Sequence, residues 1–96
     1  MNRVVLSAVL VERKALRYTP AGLPALDVGL QHESTVSEDG QPRQVSMEMR
    51  AVAIGEVTRA LAVVTLGTAA LFGGFLTSAR NGRGLILHIT SVDAAA

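Results

Sequence analysis

The stretch Arg17–Pro24, with the sequence RYTPAGLP, decides the fold because it reverses the chain between two segments that alternate like β-strands. Pro20 fixes its own backbone φ angle, and Gly22 can adopt the left-handed conformation that other residues rarely reach. Pro24 favours an extended chain as the second segment begins. The first two residues of the stretch are basic and aromatic, so we expect a loop that presents a charge and a flat ring at its entrance.

Strands are predicted on both sides of this loop. The segment before it, RVVLSAVLVE, is rich in β-branched residues, and we expect a long strand buried on much of both faces. The segment after it alternates apolar and polar side chains, as a half-buried strand does. A third segment alternates in the same way, and Asp39-Gly40 before it is typical of a hairpin turn. The three predicted strands cover residues 3–12, 25–33 and 43–54, with a polar turn over 34–42.

The second half of the chain changes its period once. Apolar residues within 56–66 recur at helical spacing, and Gly67 is placed to end a short helix. The strand that follows contains Gly73-Gly74, which would let a sheet bend or bulge. Asn81-Gly82 suits a type I′ hairpin turn. The elements predicted after the helix are strands over 68–78 and 85–92, a hairpin tip over 80–84 and a frayed end over 94–96.

This order of elements predicts an all-β fold. A short helix between strands 3 and 4 of a five-stranded antiparallel set is typical of the oligonucleotide-binding (OB) barrel. The glycine pair in the fourth strand fits the corner that a closed barrel requires. We expect residues 1–96 to form a single OB-fold domain.

The composition limits the cellular setting. The chain has no cysteine, which excludes disulfides and cysteine-based zinc sites and suits the cytoplasm. Residues 60–79 carry no charge over a length that could span a bilayer. Their threonines and glycines favour a helix stop followed by a strand, so we expect no membrane segment. The N-terminus runs directly into a strand-like pattern and shows no signal peptide.

No catalytic constellation is visible in the sequence. The eight carboxylates fall mainly in turns or on polar strand faces, and His32 and His88 show no metal-ligand spacing. The sequence also lacks a phosphate-binding glycine loop and a nucleophile elbow. We therefore expect a protein that is not an enzyme and that uses no cofactor or metal.

Basic residues are concentrated where an OB barrel binds a polymer. Eight of the nine are arginine, which binds phosphate in a bidentate manner and stacks on bases, although high-GC codon usage would give the same bias. The loop after the first strand and the last hairpin border the ligand face of this fold, so we expect their charges to converge. Arg43 and Arg50 on the third strand would join them. The candidate nucleic-acid-binding residues are Arg13, Lys14, Arg17, Tyr18, Arg43, Arg80 and Arg83.

Short pieces across nearly the whole chain match one family in the right order. They are NRVVLS from residue 2, LRYTPAGLP from 16, LQHES from 30, RQV from 43, GFL from 74, NG from 81 and LH from 87. In these pieces the chain resembles the PriB family (primosomal replication protein N), which comprises small relatives of bacterial single-stranded DNA-binding proteins. The resemblance implies an OB fold, a homodimer, binding of single-stranded DNA (ssDNA) and a role in replication restart with the PriA helicase. In some species the family also contacts the loader protein DnaT.

The resemblance assigns roles to two residues and marks three departures. Arg17 and Arg80 match basic DNA-contact positions in the first loop and the last hairpin. The family pattern has aromatic residues where Ser46 and Gln41 stand, and a basic residue where Glu33 stands. Stacking on an aromatic ring contributes about 1–3 kcal/mol per base. We therefore expect weak, strongly salt-dependent ssDNA binding dominated by arginine–phosphate contacts.

The sequence leaves two functions open. The first is a dimeric, non-catalytic accessory protein that holds ssDNA and supports a helicase, with residues 3–10 as the dimer contact. Its arginines would grip phosphates, and Tyr18 would be the one aromatic residue facing the ligand. The second is a protein-interaction adaptor on the same fold with weak or lost ssDNA binding. The missing aromatics and the net charge of +1 favour this alternative.

Overall fold

A computed structural model describes residues 1–94, which form six β-strands and one short helix. The elements are β1 (Val4–Arg13), β2 (Arg17–Tyr18), β3 (Pro24–Glu38), β4 (Gln41–Ile54), α1 (Val57–Ala62), β5 (Ala69–Ser78) and β6 (Leu85–Ala94). The predicted all-β class is confirmed. The predicted frayed end falls partly outside the described residues, and Ala94 itself belongs to β6.

Five long strands close into the expected barrel. They follow the order β1-β5-β6-β4-β3, and a second pairing of β1 with β3 closes the circle. β1 serves both neighbours because its first half, Val4 to Val9, pairs with β5, and its second half, Val9 to Arg13, pairs with β3. β4 and β6 pair in parallel, and the other pairings are antiparallel. This closed arrangement is that of an OB barrel.

The short strand β2 lies inside the segment predicted to be loop. Arg17–Tyr18 pairs with Pro24–Ala25 at the start of β3. The reversal between them is tight: the Gly22 N–H donates to the Thr19 carbonyl at 2.8 Å, and Gly22 has a φ of 85° as predicted. Because β2 adds a strand to the chain order, the helix lies between β4 and β5. The prediction that it lies between strands 3 and 4 is therefore wrong.

β3 and β4 form a hairpin arm that is longer than predicted. The strands pair without a register break from Ala25 opposite Ile54 to Glu38 opposite Gln41. Only Asp39-Gly40 forms the turn, with φ angles of 51° and 74° as a type I′ turn requires. The rest of the predicted turn, 34–42, is strand, because each of its residues has a cross-strand partner that continues the ladder.

The helix α1 is shorter than the predicted 56–66. It ends at Ala62 with Val63 as its C-cap. Gly67 does not end it; its φ of 89° belongs to a later turn in which its N–H donates to the Leu10 carbonyl at 2.8 Å. The uncharged residues 60–79 are thus divided among α1, this turn and β5. No helix within residues 1–94 has the length and apolar character needed to cross a membrane.

The predicted irregularity at Gly73-Gly74 is confirmed by a register shift between β5 and β6. A Cβ atom at Gly74 would lie 1.8 Å from the His88 carbonyl oxygen, so the approach of β6 requires glycine there. The predicted type I′ turn at Asn81-Gly82 is wrong, since Gly82 has a φ of 73° and Asn81 has no positive φ. The connection spans residues 79–84, which is too long for a two-residue turn.

The core is aliphatic apart from one ring, and its largest fully buried side chains are Phe72, Leu10, Leu30, Leu61 and Leu87. Alternate strand residues face the outer surface of the barrel. On β1, Val5 and Val11 lie on that surface and are 57% and 51% exposed. The prediction that β1 is buried on much of both faces is therefore wrong for the isolated chain.

Candidate nucleic-acid interface

The outer surface of β3 and β4 is the face that an OB barrel usually offers to a ligand. Its cross-strand pairs are Asp27–Val52, Gly29–Arg50, Gln31–Glu48 and Glu33–Ser46. None of these side chains is aromatic, and the three carboxylates outnumber the one arginine. The centre of the expected ligand face therefore offers no stacking platform and little positive charge.

Gly29 creates a shallow depression in this face. Because it has no side chain, it leaves a gap between Glu12 on β1 and Arg50 on β4, which are its cross-strand neighbours. The depression measures about 280 Å³ and is also lined by Lys14 and by Ile86 of β6. Its lining includes acidic as well as basic side chains, so it does not concentrate positive charge.

One border of the face is formed by β2. Tyr18 is 66% exposed there. The Arg17 guanidinium binds the Asp27 carboxylate with two hydrogen bonds, Nε to Oδ2 at 2.5 Å and Nη2 to Oδ1 at 3.0 Å. Arg17 keeps about half of its side chain exposed, but it must release Asp27 before it can bind a phosphate in a bidentate manner.

This ion pair changes the titration of both partners. The hydrogen bond from Arg17 lowers the pKa of Asp27, and the positive charges of Arg17, Lys14 and Arg50 add to the effect against the opposing influence of burial. The same hydrogen bond raises the pKa of Arg17. Asp27 is therefore ionised at neutral pH and competes directly with any anionic ligand for Arg17.

The opposite border is formed by the β5–β6 connection. It carries Arg80 and Arg83, both exposed, and the Arg83 N–H donates to the Asn81 side-chain oxygen at 2.8 Å. β6 and β2 are three strand spacings apart, or about 14 Å. The two basic loops therefore flank β3 and β4 rather than meeting over them.

Two predicted site residues lie elsewhere. Arg13 is partly buried, and its Nη1 donates to the carbonyls of Val64 at 2.6 Å and Leu61 at 3.4 Å, so it holds the end of α1. Arg43 lies near the tip of the arm and pairs with Glu38 at 2.8 Å. Arg43 and Arg50 are an odd number of residues apart, so their side chains leave opposite faces of β4.

A second exposed aromatic group lies on the outer surface of β5 and β6. The rings of Phe75 and His88 stack with their centroids 4.9 Å apart and an interplanar angle of 16°. Phe75 is 39% exposed, so Tyr18 is not the only exposed aromatic residue within residues 1–94. The alternation of β5 carries the signal for this: Phe72 points inwards, and a residue three positions later must point outwards.

Comparison with known proteins gives consistent results. The family model described as "Another single-strand binding protein family" matches residues 2–91. The replication restart protein PriB of Bordetella pertussis is 50% identical over 80 residues, which are 83% of this chain and 75% of the relative. The structure of PriB from Ralstonia solanacearum has a TM-score of 0.90 and 34% identity, covering 100% of this chain and 99% of the other.

A more distant structure shares the barrel. The wild-type single-stranded DNA binding protein from Thermus aquaticus gives a TM-score of 0.75 at 25% identity, covering 100% of this chain and 50% of that protein. The barrel and its flanking basic loops thus define an OB-fold protein of the single-strand-binding class. Within that class, the chain belongs to the PriB family of replication restart proteins.

Proposed function

We propose that the chain is an ssDNA-binding accessory protein of the replication-restart primosome, a non-catalytic partner that stabilises ssDNA and supports the PriA helicase. The similarity to PriB proteins along nearly the whole chain carries this proposal. In this role residues 1–96 act as one OB domain in the cytoplasm, and DnaT is a further partner of the same complex.

The arrangement of charge favours phosphate contacts over base stacking. Within residues 1–94, the arginine ion pairs are Arg17–Asp27 and Arg43–Glu38, so the guanidinium groups of Arg80 and Arg83 are available to phosphates. Each phosphate neutralised on a single strand contributes about −0.7 to the slope of log affinity against log salt. Binding through a few such contacts is weak at physiological salt and strong at low salt.

A homodimer through β1 fits the exposed residues of that strand. Residues 4–8 pair only with β5 among the described strands, which leaves their other backbone edge open. Val5 beside this edge is 57% exposed. An open strand edge with apolar neighbours is a template for pairing with a second copy.

The dimer is tested by analytical ultracentrifugation of Val5→Lys. In a symmetric pairing the two lysines would lie near one another and repel, so the variant should sediment as a monomer at concentrations where the wild type is dimeric. Leu85→Lys is the matched control, because Leu85 has the same exposure and lies outside β1. A wild type that is monomeric at all concentrations would contradict the dimer.

Fluorescence anisotropy with labelled oligo-dT tests ssDNA binding. Arg80→Ala should weaken binding about three- to tenfold at low salt and make the salt dependence shallower. Arg59→Ala is the control, because Arg59 is exposed on α1 and lies outside the interface. An equal loss of affinity in both variants would indicate that the overall positive charge of the protein, rather than this interface, binds the oligonucleotide.

The composition of the central face favours a second candidate function, a protein-interaction adaptor with little ssDNA binding. That face has more carboxylates than arginines, and Asp27 already occupies Arg17. The double variant Arg17→Ala with Arg80→Ala separates the two functions. If ssDNA affinity falls while stimulation of PriA unwinding survives, the adaptor is correct; if both fall together, the ssDNA-binding function is correct.

A further inference from the structure

One line of cross-strand neighbours crosses the outer side of the barrel away from the arm, and Val52 within it is buried. Cross-strand pairing joins Asp27 to Val52, Val52 to His88, and His88 to Phe75. Continuing the β1–β5 register by one residue beyond Val4–Gly74 brings Arg3 opposite Phe75. Asp27, at the other end of the line, holds Arg17.

This line differs from the β3–β4 face in its chemistry. It presents two stacked rings in its middle, whereas the cross-strand pairs of the β3–β4 face contain none. The nearby basic connection adds positive charge, because Phe75 and His88 lie three residues along their strands from its base at Ser78 and Leu85, or about 10 Å. Rings and arginines are therefore grouped on this side of the barrel.

A depression beside Phe75 has room for part of a nucleotide. It measures about 480 Å³ and is lined by Arg3, Phe75, Gly73, Thr90, Ser91 and Asp93, among others. At Gly73 the Ser91 side chain covers the backbone, since a Cβ atom there would lie 2.4 Å from the Ser91 hydroxyl oxygen. Arg3 forms no ion pair within residues 1–94 and has its guanidinium available.

The charges in the depression favour one orientation of a bound nucleotide. Asp93 would repel a phosphate at its own position, so the sugar–phosphate backbone would lie toward Arg3. A base would then lie against Phe75, whose ring is supported by His88. Stacking of this kind accepts any base, because every base has a π-face.

From this geometry we infer that Arg3, Phe75 and His88 form a second ssDNA-binding platform, which carries the strand across β5 and β6 rather than along the arm. The inference rests on the proposed ssDNA function and adds the place where bases stack. The depression shares Val5 with the proposed dimer contact, whereas Phe75 and His88 lie on β5 and β6, on the side of β1 opposite its open edge.

A single tryptophan tests the platform directly, because the natural sequence has none. Phe75→Trp keeps a ring at the platform, and Tyr18→Trp reports from the β2 border. Val63→Trp, at a position 80% exposed beyond α1, is the control for non-specific quenching. Titration with unlabelled oligo-dT should quench the emission of Phe75→Trp at the same oligonucleotide concentration at which a labelled oligo-dT binds by anisotropy.

Two further variants test the contribution to affinity. Phe75→Leu should weaken oligo-dT binding about tenfold at low salt, and Phe75→Trp should restore it. Arg3→Ala should make the salt slope shallower by about 0.7, whereas Arg59→Ala should leave it unchanged. Thermal melting establishes that each variant is folded before its affinity is compared.

The outcomes separate this inference from the proposed function. If oligo-dT binds and quenches Tyr18→Trp but not Phe75→Trp, the platform is wrong and the ssDNA function stands. If the emission of Phe75→Trp changes with protein concentration but not with oligo-dT, the surface is a contact between copies of the protein and the inference is overturned. If the wild type binds no oligo-dT at low salt, the proposed function itself fails.

Discussion

Replacing Asp27 with asparagine should strengthen ssDNA binding, although it removes an ion pair from the folded protein. Asp27 holds Arg17 through two hydrogen bonds, and both side chains are partly exposed. A phosphate that binds Arg17 in the wild type must first displace this carboxylate. The variant has no carboxylate to displace and also lacks one negative charge at the border of the interface.

The size of the gain follows from the exposure of the pair. An exposed ion pair changes an equilibrium by at most about fivefold, so releasing Arg17 should tighten oligo-dT binding by about three- to fivefold at low salt. If Arg17 then binds a phosphate, the slope of log affinity against log salt should steepen by about 0.7. Fluorescence anisotropy at several salt concentrations measures both quantities.

Glu33→Gln is the matched control for this experiment. Glu33 lies on the same outer surface of β3 and carries the same charge, but it holds no arginine. Its removal should tighten binding by about twofold or less, with an unchanged salt slope, because its long-range repulsion of phosphates is screened within about 10 Å. Equal effects of the two variants, or weaker binding by Asp27→Asn, would refute the idea that Asp27 competes for Arg17.

Three further predictions concern stability. Gly74→Ala should lower the free energy of unfolding by more than about 3 kcal/mol, since its Cβ would collide with a backbone carbonyl. Gly73→Ala should lower it less, because its Cβ would meet a serine side chain that can move. Urea denaturation compares the two variants. Arg13→Met should lower it by about 1–2 kcal/mol and leave oligo-dT affinity nearly unchanged, because Arg13 holds helix carbonyls. Asp27 has a lowered pKa, so its contribution to stability should be complete above the unfolded pKa of about 3.9 and vanish as the pH falls through the folded pKa. A stability difference between the wild type and Asp27→Asn that grows on acidification would contradict this.

Local backbone requirements were the most predictable features of the fold. Asp39-Gly40, Gly22 and Gly73-Gly74 each mark a place where the chain must turn or bulge, and the structure has an irregularity at each. The two-residue strand β2 could not be predicted, because it exists only through its pairing with β3. The end of α1 was misplaced because apolar spacing continues past Ala62, while the turn at Gly67 is fixed by a contact with β1.

The candidate site was less predictable than the fold. The sequence places Arg17 at the entrance of the Arg17–Pro24 reversal but gives no sign that Asp27, ten residues later, will bind it. The separation of Arg43 from Arg50 follows from strand alternation alone and was available from the sequence. The neighbourhood of Arg3 and Phe75 depends on the pairing of β1 with β5, which joins residues 60 to 70 positions apart.

The salt dependence of ssDNA binding tests the central claim most directly. The measurement is the affinity for labelled oligo-dT over a series of salt concentrations, with duplex DNA of the same length as competitor. Three or four phosphate contacts, such as those available to Arg3, Arg80 and Arg83 with or without Arg17, predict a slope of about −2 to −3 and a preference for the single strand. A flat salt response, or tighter binding of duplex DNA, would contradict the account.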